Sequence, residues 1–264
     1  MHAFNNNWLF ERERIDNLSK NKTLINKLDN SLKKFNNINI IDLGARTGSN
    51  FRYLSKKIKL KNQYWSLIDI SQKSLNEVKK NLTKNQKFIN LKLINKNIIR
   101  DIKKFEFNKF YLVTGSAFLD IMPLNWFKSF HEKNINTKLV YFSINYDGFF
   151  QFFPKHDLDL EILNLFNNDQ VSKKNNQNKA VGPNCTSIIN KFFNKSHKTY
   201  SLQSNWSVQN NINFQLLFLA FCENIIKKNN KLKYSNWIEF RKNKIKNNKS
   251  KLIVHNKDFL AIKI

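Results

Sequence analysis

Ile38-Asn39-Ile40-Ile41-Asp42-Leu43-Gly44-Ala45-Arg46-Thr47-Gly48-Ser49-Asn50 is the stretch whose reading decides the fold. An apolar run ends in an acid, turns through two glycines, and opens at once into the helical pattern Asn50-Phe51-Arg52-Tyr53-Leu54. Strand, glycine loop and helix N-terminus in that order form the place where α/β proteins hold a nucleotide-like ligand. A second apolar run, Tyr64-Trp65-Ser66-Leu67-Ile68, ends in Asp69. An acid at the tip of a second strand stands where a ribose diol lies.

The loop is not built for phosphate. A dinucleotide fingerprint needs a third glycine three residues after the second, and a phosphate loop needs Gly-Lys-Ser/Thr. Here Asn50 and Phe51 follow Gly48, and the loop contains no lysine. An acid two residues before the first glycine suits a cationic ligand. These residues resemble the class I S-adenosylmethionine-dependent methyltransferases, whose first motif reads Asp/Glu-x-Gly-x-Gly-x-Gly. Asp42, Gly44 and Gly48 occupy the family positions, and Arg46 stands where the middle glycine is usual. A plainer reading, in which the two glycines only cap a strand and a helix, competes weakly because Asp69 arrives at the right point downstream.

The resemblance implies S-adenosyl-L-methionine as cofactor and an α/β, Rossmann-like sheet of seven strands. That sheet is mostly parallel with an antiparallel last strand, and carries helices on both faces. Asp42, Gly44, Ala45, Arg46 and Gly48 would line the first loop, and Asp69 would hold the ribose hydroxyls. Ile70 and Ile98 would sandwich the adenine. Asn97 would meet the adenine amine where the family often has an acid, since an amide carbonyl accepts that hydrogen bond too. The run Val113-Thr114-Gly115-Ser116-Ala117-Phe118-Leu119-Asp120 falls at the family's fourth motif. Ser116 is its expected cofactor contact, and Asp120 a substrate contact or base unless it is an ordinary helix-start acid.

Composition sets the wider limits. At 264 residues the chain can bury one α/β core plus an appendage. Its formal charge of +27 raises nucleic acid or an anionic surface as a partner. However, the lysines are spread over the whole length, and the crowding of Asn, Ile and Phe points to compositional drift. The two cysteines, Cys185 and Cys222, are far apart, with no CxxC and no His at metal spacing, so neither a disulfide scaffold nor a metal site is expected. The segment Met1–Asn7 has no apolar h-region, and the longest apolar run, Phe214–Cys222, is too short for a bilayer. The expectation is a cytoplasmic protein that avoids membranes.

Along the chain, Ile15, Leu18, Ile25, Leu28 and Leu32 have helical spacing, giving one or two helices over residues 1–36 that act as a cap. Arg12 and Asp16 are the cap's candidate polar contacts, with a solvated charged face as the alternative. Residues 37–145 read as the cofactor-binding half. Its strands fall near Ile38–Leu43, Tyr64–Asp69, Phe88–Ile94, Phe110–Gly115 and Lys138–Ile144. Helices are expected near Ser49–Lys59, after Ser71 or Ser74, near Ile98–Lys104, and from Pro123. Residues 146–264 read as the substrate-side half of the same single domain, with an insertion over 146–181 and a C-terminal strand from Phe259. The insertion holds an acidic helix, Asp157–Phe166, and a polar tract, Lys173–Lys179, expected as a surface loop. Beyond it, a helix is expected over Asn184–Asn194, a strand near Thr199–Ser204, and helices over Phe214–Ile226 and Trp237–Ile245.

Methyl transfer is displacement at an already activated carbon, so its catalytic signature is weak. Tyr146 and Asp120 are the catalytic candidates, and Asp147, Asp169, Gln170 and Trp206 the substrate candidates, although a core role for the aromatic residues is the more ordinary one. A small-molecule acceptor leads. An RNA acceptor is the runner-up, drawing on the basic charge but lacking an Asn-Pro-Pro-Tyr motif, a cysteine near strand four and a separate RNA-binding domain. A non-catalytic S-adenosylmethionine-binding protein is the third reading.

Overall fold

Lys20 and Asn21 divide the N-terminal segment into two helices, α1 (Asn6–Ser19) and α2 (Lys22–Leu32), in the computed structural model, which describes residues 6–84, 86, 89–172, 174–175, 178–228 and 234–264. Asn21 ends α1 and starts α2 because its side chain accepts the Leu24 N–H at 3.1 Å. Leu24, Ile25, Leu28 and Leu32 then share one buried stripe.

The alternation of strand and helix follows. β1 (Asn37–Leu43), α3 (Ser49–Lys57), β2 (Asn62–Asp69) and α4 (Gln72–Lys80) come first, with the Ser71 hydroxyl capping α4 by accepting the Ser74 N–H. β3 (Asn90–Asn95) begins later than expected, and Phe88 lies outside the described residues. The helix expected over Ile98–Lys104 shrinks to a 3-10 turn at Ile102–Lys104. β4 (Leu112–Ser116) and α5 (Leu124–Asn134) follow, with Pro123 immediately before α5 rather than inside it. β5 (Leu139–Phe153) runs well beyond Ile144, where the sequence reading ended it.

The second half contains α6 (Asp159–Ser172), the two-residue strands β6 (Lys174–Asn175) and β7 (Asn178–Lys179), α7 (Cys185–Phe193) and β8 (His197–Gln203). β9 (Trp206–Val208), α8 (Ile212–Lys228), α9 (Ser235–Lys246) and β10 (Lys251–Lys263) complete it. The expected polar loop over 173–179 therefore contains the short β6–β7 ladder, while residues 173, 176 and 177 lie outside the described residues. β10 starts eight residues before the expected Phe259.

The sheet order is β3-β2-β1-β4-β5-β10-β8, with β9 paired to the first part of β10. β1 to β5 are parallel, and β10 is antiparallel to both β5 and β8. This is the expected Rossmann-like methyltransferase sheet with a short extra strand. The chain leaves β1 in one direction and returns to β4 on its other side, so a crevice opens at the carboxyl ends of those two strands. One apolar cluster fills each face of the sheet. A third lies beyond the rim, where the extended part of β5, with β9 and β10, packs against α1, α6, α8 and α9. No helix among the described residues is long and apolar enough to cross a membrane.

Asp258 joins these parts. Its carboxylate is fully buried and accepts from the Asn21 N–H at 2.8 Å, the Tyr141 hydroxyl at 2.9 Å and the Ile144 N–H at 2.8 Å. Asp258→Ala would strand three donors, at about 1–3 kcal/mol for each that stays dry. It is expected to lower the urea unfolding midpoint sharply, whereas Asp258→Asn, which keeps an acceptor, should lose less.

Candidate functional site

Gly44 and Gly48 both adopt left-handed backbone, with φ of 66° and 81°. Arg46 does so as well, with φ of 50°, so the residue at the usual middle glycine keeps a glycine-like path at a cost in strain. That path is held by its neighbours. The Arg46 N–H donates to Asp69 Oδ2 at 2.9 Å, and the Ala45 N–H donates to the Ile68 carbonyl at 2.8 Å. Asp69 Oδ1 accepts the Ser71 N–H at 2.8 Å. The first loop and the tip of β2 are therefore one unit, with Asp69 only 4% exposed.

Around this unit the adenine candidates divide. Ile70 is open to solvent, and Ile98 is buried with its carbonyl accepting the Trp126 indole N–H at 3.3 Å. Asn97 Oδ1 accepts the Ile99 and Arg100 N–H groups, both at 3.1 Å, so its carbonyl also shapes the turn after β3. Asn95 fastens β3 to β2 by donating to the Ile70 carbonyl at 2.9 Å.

Beneath the loop lies a buried polar column that the sequence did not disclose. Asn50, on the first turn of α3, donates to Asp42 Oδ1 at 2.9 Å and to Thr114 Oγ1 at 3.2 Å. Its own Oδ1 accepts from Lys20 Nζ at 3.1 Å. Asp42 and Lys20 are both buried. Burial pushes the Asp42 carboxyl up to about 7, opposed by the Asn50 hydrogen bond and the Lys20 charge and reinforced by Asp69. The same burial lowers the Lys20 ammonium. Farther along the rim, Ser143 Oγ donates to Ser116 Oγ at 3.1 Å.

Phe118 covers the loop. A Cβ placed on Gly44 would come within 2.6 Å of the Phe118 ring, so the glycine makes room for this side chain. The ring stacks on Phe142 and meets Trp126 edge-on. Ala117 before it is left-handed, with φ of 48°, and its N–H donates to the Ser143 carbonyl at 2.8 Å. Asp120 follows in a 3-10 turn, Leu119–Ile121, whose first N–H donates to Asn145 Oδ1 at 3.3 Å.

The catalytic and substrate candidates fall into three places. Asp120, Tyr146 and Asp147 lie close enough that both acids raise the Tyr146 hydroxyl pKa, after the larger effect of burial. The Tyr146 hydroxyl donates to Asn167 Oδ1 at 2.8 Å, and Asp147 pairs with Lys257 at 2.9 Å. Asp169 and Gln170 lie on α6, with Asp169 3.5 Å from Lys228. Trp206 is buried against α1, donating its indole N–H to Asp16 at 2.9 Å beneath the Arg12 guanidinium. Arg12 and Asp16 themselves form an ion pair at 2.9 Å.

No protein-family model matches the sequence, and no curated protein does. Solved structures match over nearly the whole chain. A cyclopropane-fatty-acyl-phospholipid synthase-like protein from Lactobacillus casei ATCC 334 superposes with a TM-score of 0.55 at 8% identity, covering 95% of this chain and 92% of that one. The YcgJ protein from Bacillus subtilis gives 0.52 at 9% identity, with 92% and 99% covered. A protein assigned as a methyltransferase from Bacillus halodurans C-125 gives 0.50 at 11% identity, with 90% and 97% covered. At these identities the likeness is one of fold.

The site's geometry sets two expected outcomes. Gly44→Ala is expected to cost about 1–3 kcal/mol in urea unfolding, and combining it with Phe118→Ala should recover the part due to the ring. Asp42 binds its proton more tightly folded than unfolded, so between about pH 4 and pH 7 stability falls as pH rises. Asp42→Asn is expected to flatten that fall, read as unfolding midpoints at pH 5 and pH 8.

Proposed function

The chain has the fold of the class I S-adenosylmethionine-dependent methyltransferases, and we propose that it transfers a methyl group from S-adenosyl-L-methionine to a small-molecule acceptor. The observation that carries the reading is the Arg46 N–H to Asp69 hydrogen bond, which fixes the glycine loop against the acid at the tip of β2. The donor set suits the group. Asp42 has a buried oxygen, Oδ2, with no hydrogen-bond partner among the described residues, and Asp69 keeps acceptor capacity beyond its two backbone donors.

In this reading Gly44, Ala45, Arg46 and Gly48 wrap the ligand, Asp69 takes the ribose hydroxyls, and Asp42 faces the positive end. Ile70, Asn97 and Ile98 flank the base, and Ser116 lines the methyl-bearing side. The bound cofactor supplies a methyl carbon already activated by its sulfonium. What remains for the protein is to align the acceptor, keep water out, and take a proton where the acceptor carries one. Asp120 would take that proton or contact the substrate. Tyr146 stays protonated, since burial raises its pKa, so its hydroxyl orients by hydrogen bonding rather than acting as a base. Asp147, Asp169, Gln170 and Trp206 remain the acceptor-side proposals.

The domain division follows the same logic. Residues 37–145 bind the cofactor, residues 1–36 cap it, and residues 146–264 enclose the acceptor beneath the third apolar cluster. The packing of α1, α6, α8 and α9 on that apolar cluster is what favours a small acceptor over an RNA strand. A second reading, a chain that keeps the fold without turnover, draws on Phe118. That ring packs where a Cβ on Gly44 would lie and so crowds the glycine loop.

Isothermal titration is expected to give micromolar or tighter binding of S-adenosylmethionine or its demethylated product. Asp69→Ala should weaken it by about 1–3 kcal/mol. Absence of heat with both compounds would remove the reading, and an unchanged affinity in Asp69→Ala would take Asp69 away from the ribose.

A further inference from the structure

Helices normally cover both faces of a parallel sheet, so its strands are apolar on both sides. One corner of this sheet departs from that. On the face that carries α5, β1, β2 and β3 align Asn39, Tyr64 and Asn90 in one row and Ile41, Ser66 and Lys92 in the next. Only the following row, Leu43, Ile68 and Ile94, is wholly apolar and meets the cluster under α5. The cause is the connection from β3 to β4, whose helical content is the single 3-10 turn Ile102–Lys104. A turn that short leaves the amino-terminal rows of β2 and β3 open among the described residues, and Tyr64 stands 44% exposed within its strand.

Beside Tyr64 is a cavity of about 200 Å³, floored by Asn39, Ser66 and Lys92 and walled by Phe105, Lys109 and Phe110. Whole small-molecule ligands usually occupy about 300–1,000 Å³, so this volume suits one planar ring system. Its lining offers an amide, a hydroxyl and two ammonium groups, and no carboxylate. Residues 90–110 carry six lysines and arginines against Asp101 and Glu106, and Arg100 already binds Asp101 at 2.9 Å.

The occupant follows from that mixture. A second copy of the chain would set these lysines against their own kind. An anionic membrane would answer the lysines and make no use of the amide and hydroxyl on the floor. A nucleic acid duplex keeps its bases stacked inside and offers mainly phosphate. An unpaired strand offers phosphates for the lysines, a base face for the Tyr64 ring and a base edge for Asn39 and Ser66.

We infer that this open corner of the sheet is a docking surface for single-stranded nucleic acid. One base stacks on Tyr64, a base edge meets Asn39 and Ser66, and Lys92 and Lys109 take the phosphates. The surface is separate from the crevice, since Asn39 precedes Gly44 by five residues, about 16 Å at the rise of a strand. The inference therefore does not depend on the proposed cofactor.

The test is fluorescence anisotropy with a labelled oligouridylate of about twelve nucleotides, the matching oligothymidylate and a duplex of equal length, at about 200 mM salt. The unmodified chain is expected to bind a single strand at least about ten-fold more tightly than the duplex, the tighter strand telling RNA from DNA. Tyr64→Ala should weaken that binding about five-fold to a hundred-fold, and Tyr64→Phe should keep it. Lys92→Gln with Lys109→Gln should reduce the slope of log affinity against log salt by about 1.4. Lys79→Gln with Lys80→Gln, on α4 across the sheet, should leave that slope unchanged. Circular dichroism melts report whether each variant folds, and if Tyr64→Ala does not, the lysine pairs decide. Equal affinity for the duplex, unchanged binding in folded Tyr64→Ala, or an equal loss of slope from both lysine pairs would overturn the inference. Binding to anionic phospholipid vesicles that is lost in Tyr64→Ala would overturn it too, by giving the surface to a membrane.

Discussion

The rim of this sheet depends on the buried Asp258 carboxylate. β10 shifts register against β5 between Lys257 and Phe259, and this irregularity leaves Asp258 outside the ladder to β5, free to turn its carboxylate to other donors. There it accepts from the α1–α2 elbow, from Tyr141 and from the Ile144 N–H. Ile144 is β-branched with φ of 54°, a conformation such a residue avoids unless its surroundings impose it. The next residue, Asn145, then receives the Leu119 N–H and donates to the Lys257 carbonyl at 3.0 Å. One carboxylate thus sets the N-terminal cap, the bend in β5 and, through Asn145, the loop after β4.

Strain gathers at the same edge. Arg46, Ala117 and Ile144, three of the non-glycine residues with positive φ, follow the tips of β1 and β4 or lie within β5 where it crosses the rim. Each is held by a hydrogen bond from its own N–H: Arg46 to Asp69, Ala117 to the Ser143 carbonyl, Ile144 to Asp258. Strain thus recurs at three neighbouring strands along one edge and is pinned each time by a hydrogen bond.

What the sequence disclosed was what local chemistry encodes. The apolar period of β1 and β2, the glycine turn between strand and helix, and the Ser71 cap are all readable within a few residues. Partners distant in sequence were not readable. The aromatic run Phe149–Phe153 continues β5 only because Lys251–His255 lies beside it about a hundred residues later. Likewise, nothing local in the sequence pairs Trp206 with Asp16, the acceptor of its indole N–H. Lys20, in a break between two helical patterns, reads as one more solvated lysine among many, and no periodicity signals that it is buried.

The charge distribution follows from the same contrast. The chain carries +27, yet Asp42, Asp69 and Asp258 are buried at or near the rim, and Asp120 and Asp147 raise the pKa of Tyr146 close by. Lysines on the exterior cost little because water solvates them, whereas carboxylates gathered in a crevice survive only if hydrogen bonds or cations balance them. Backbone amides balance Asp69, and three donors balance Asp258. Asp42 is balanced by the Asn50 amide, the field of Lys20 and the Phe51 backbone N–H, with Oδ2 lacking a close partner among the described residues, and its burial holds its proton to near neutrality. Phe118 lies on Gly44 at the same loop, and its ring packs against Phe142 and Trp126. Apolar contacts are non-directional and can be remade at a small angle, whereas the hydrogen bonds of Asp69 and Asp258 cannot. The rim is thus fixed at Asp69 and Asp258, where hydrogen bonds set its geometry, and adjustable at the Phe118 ring.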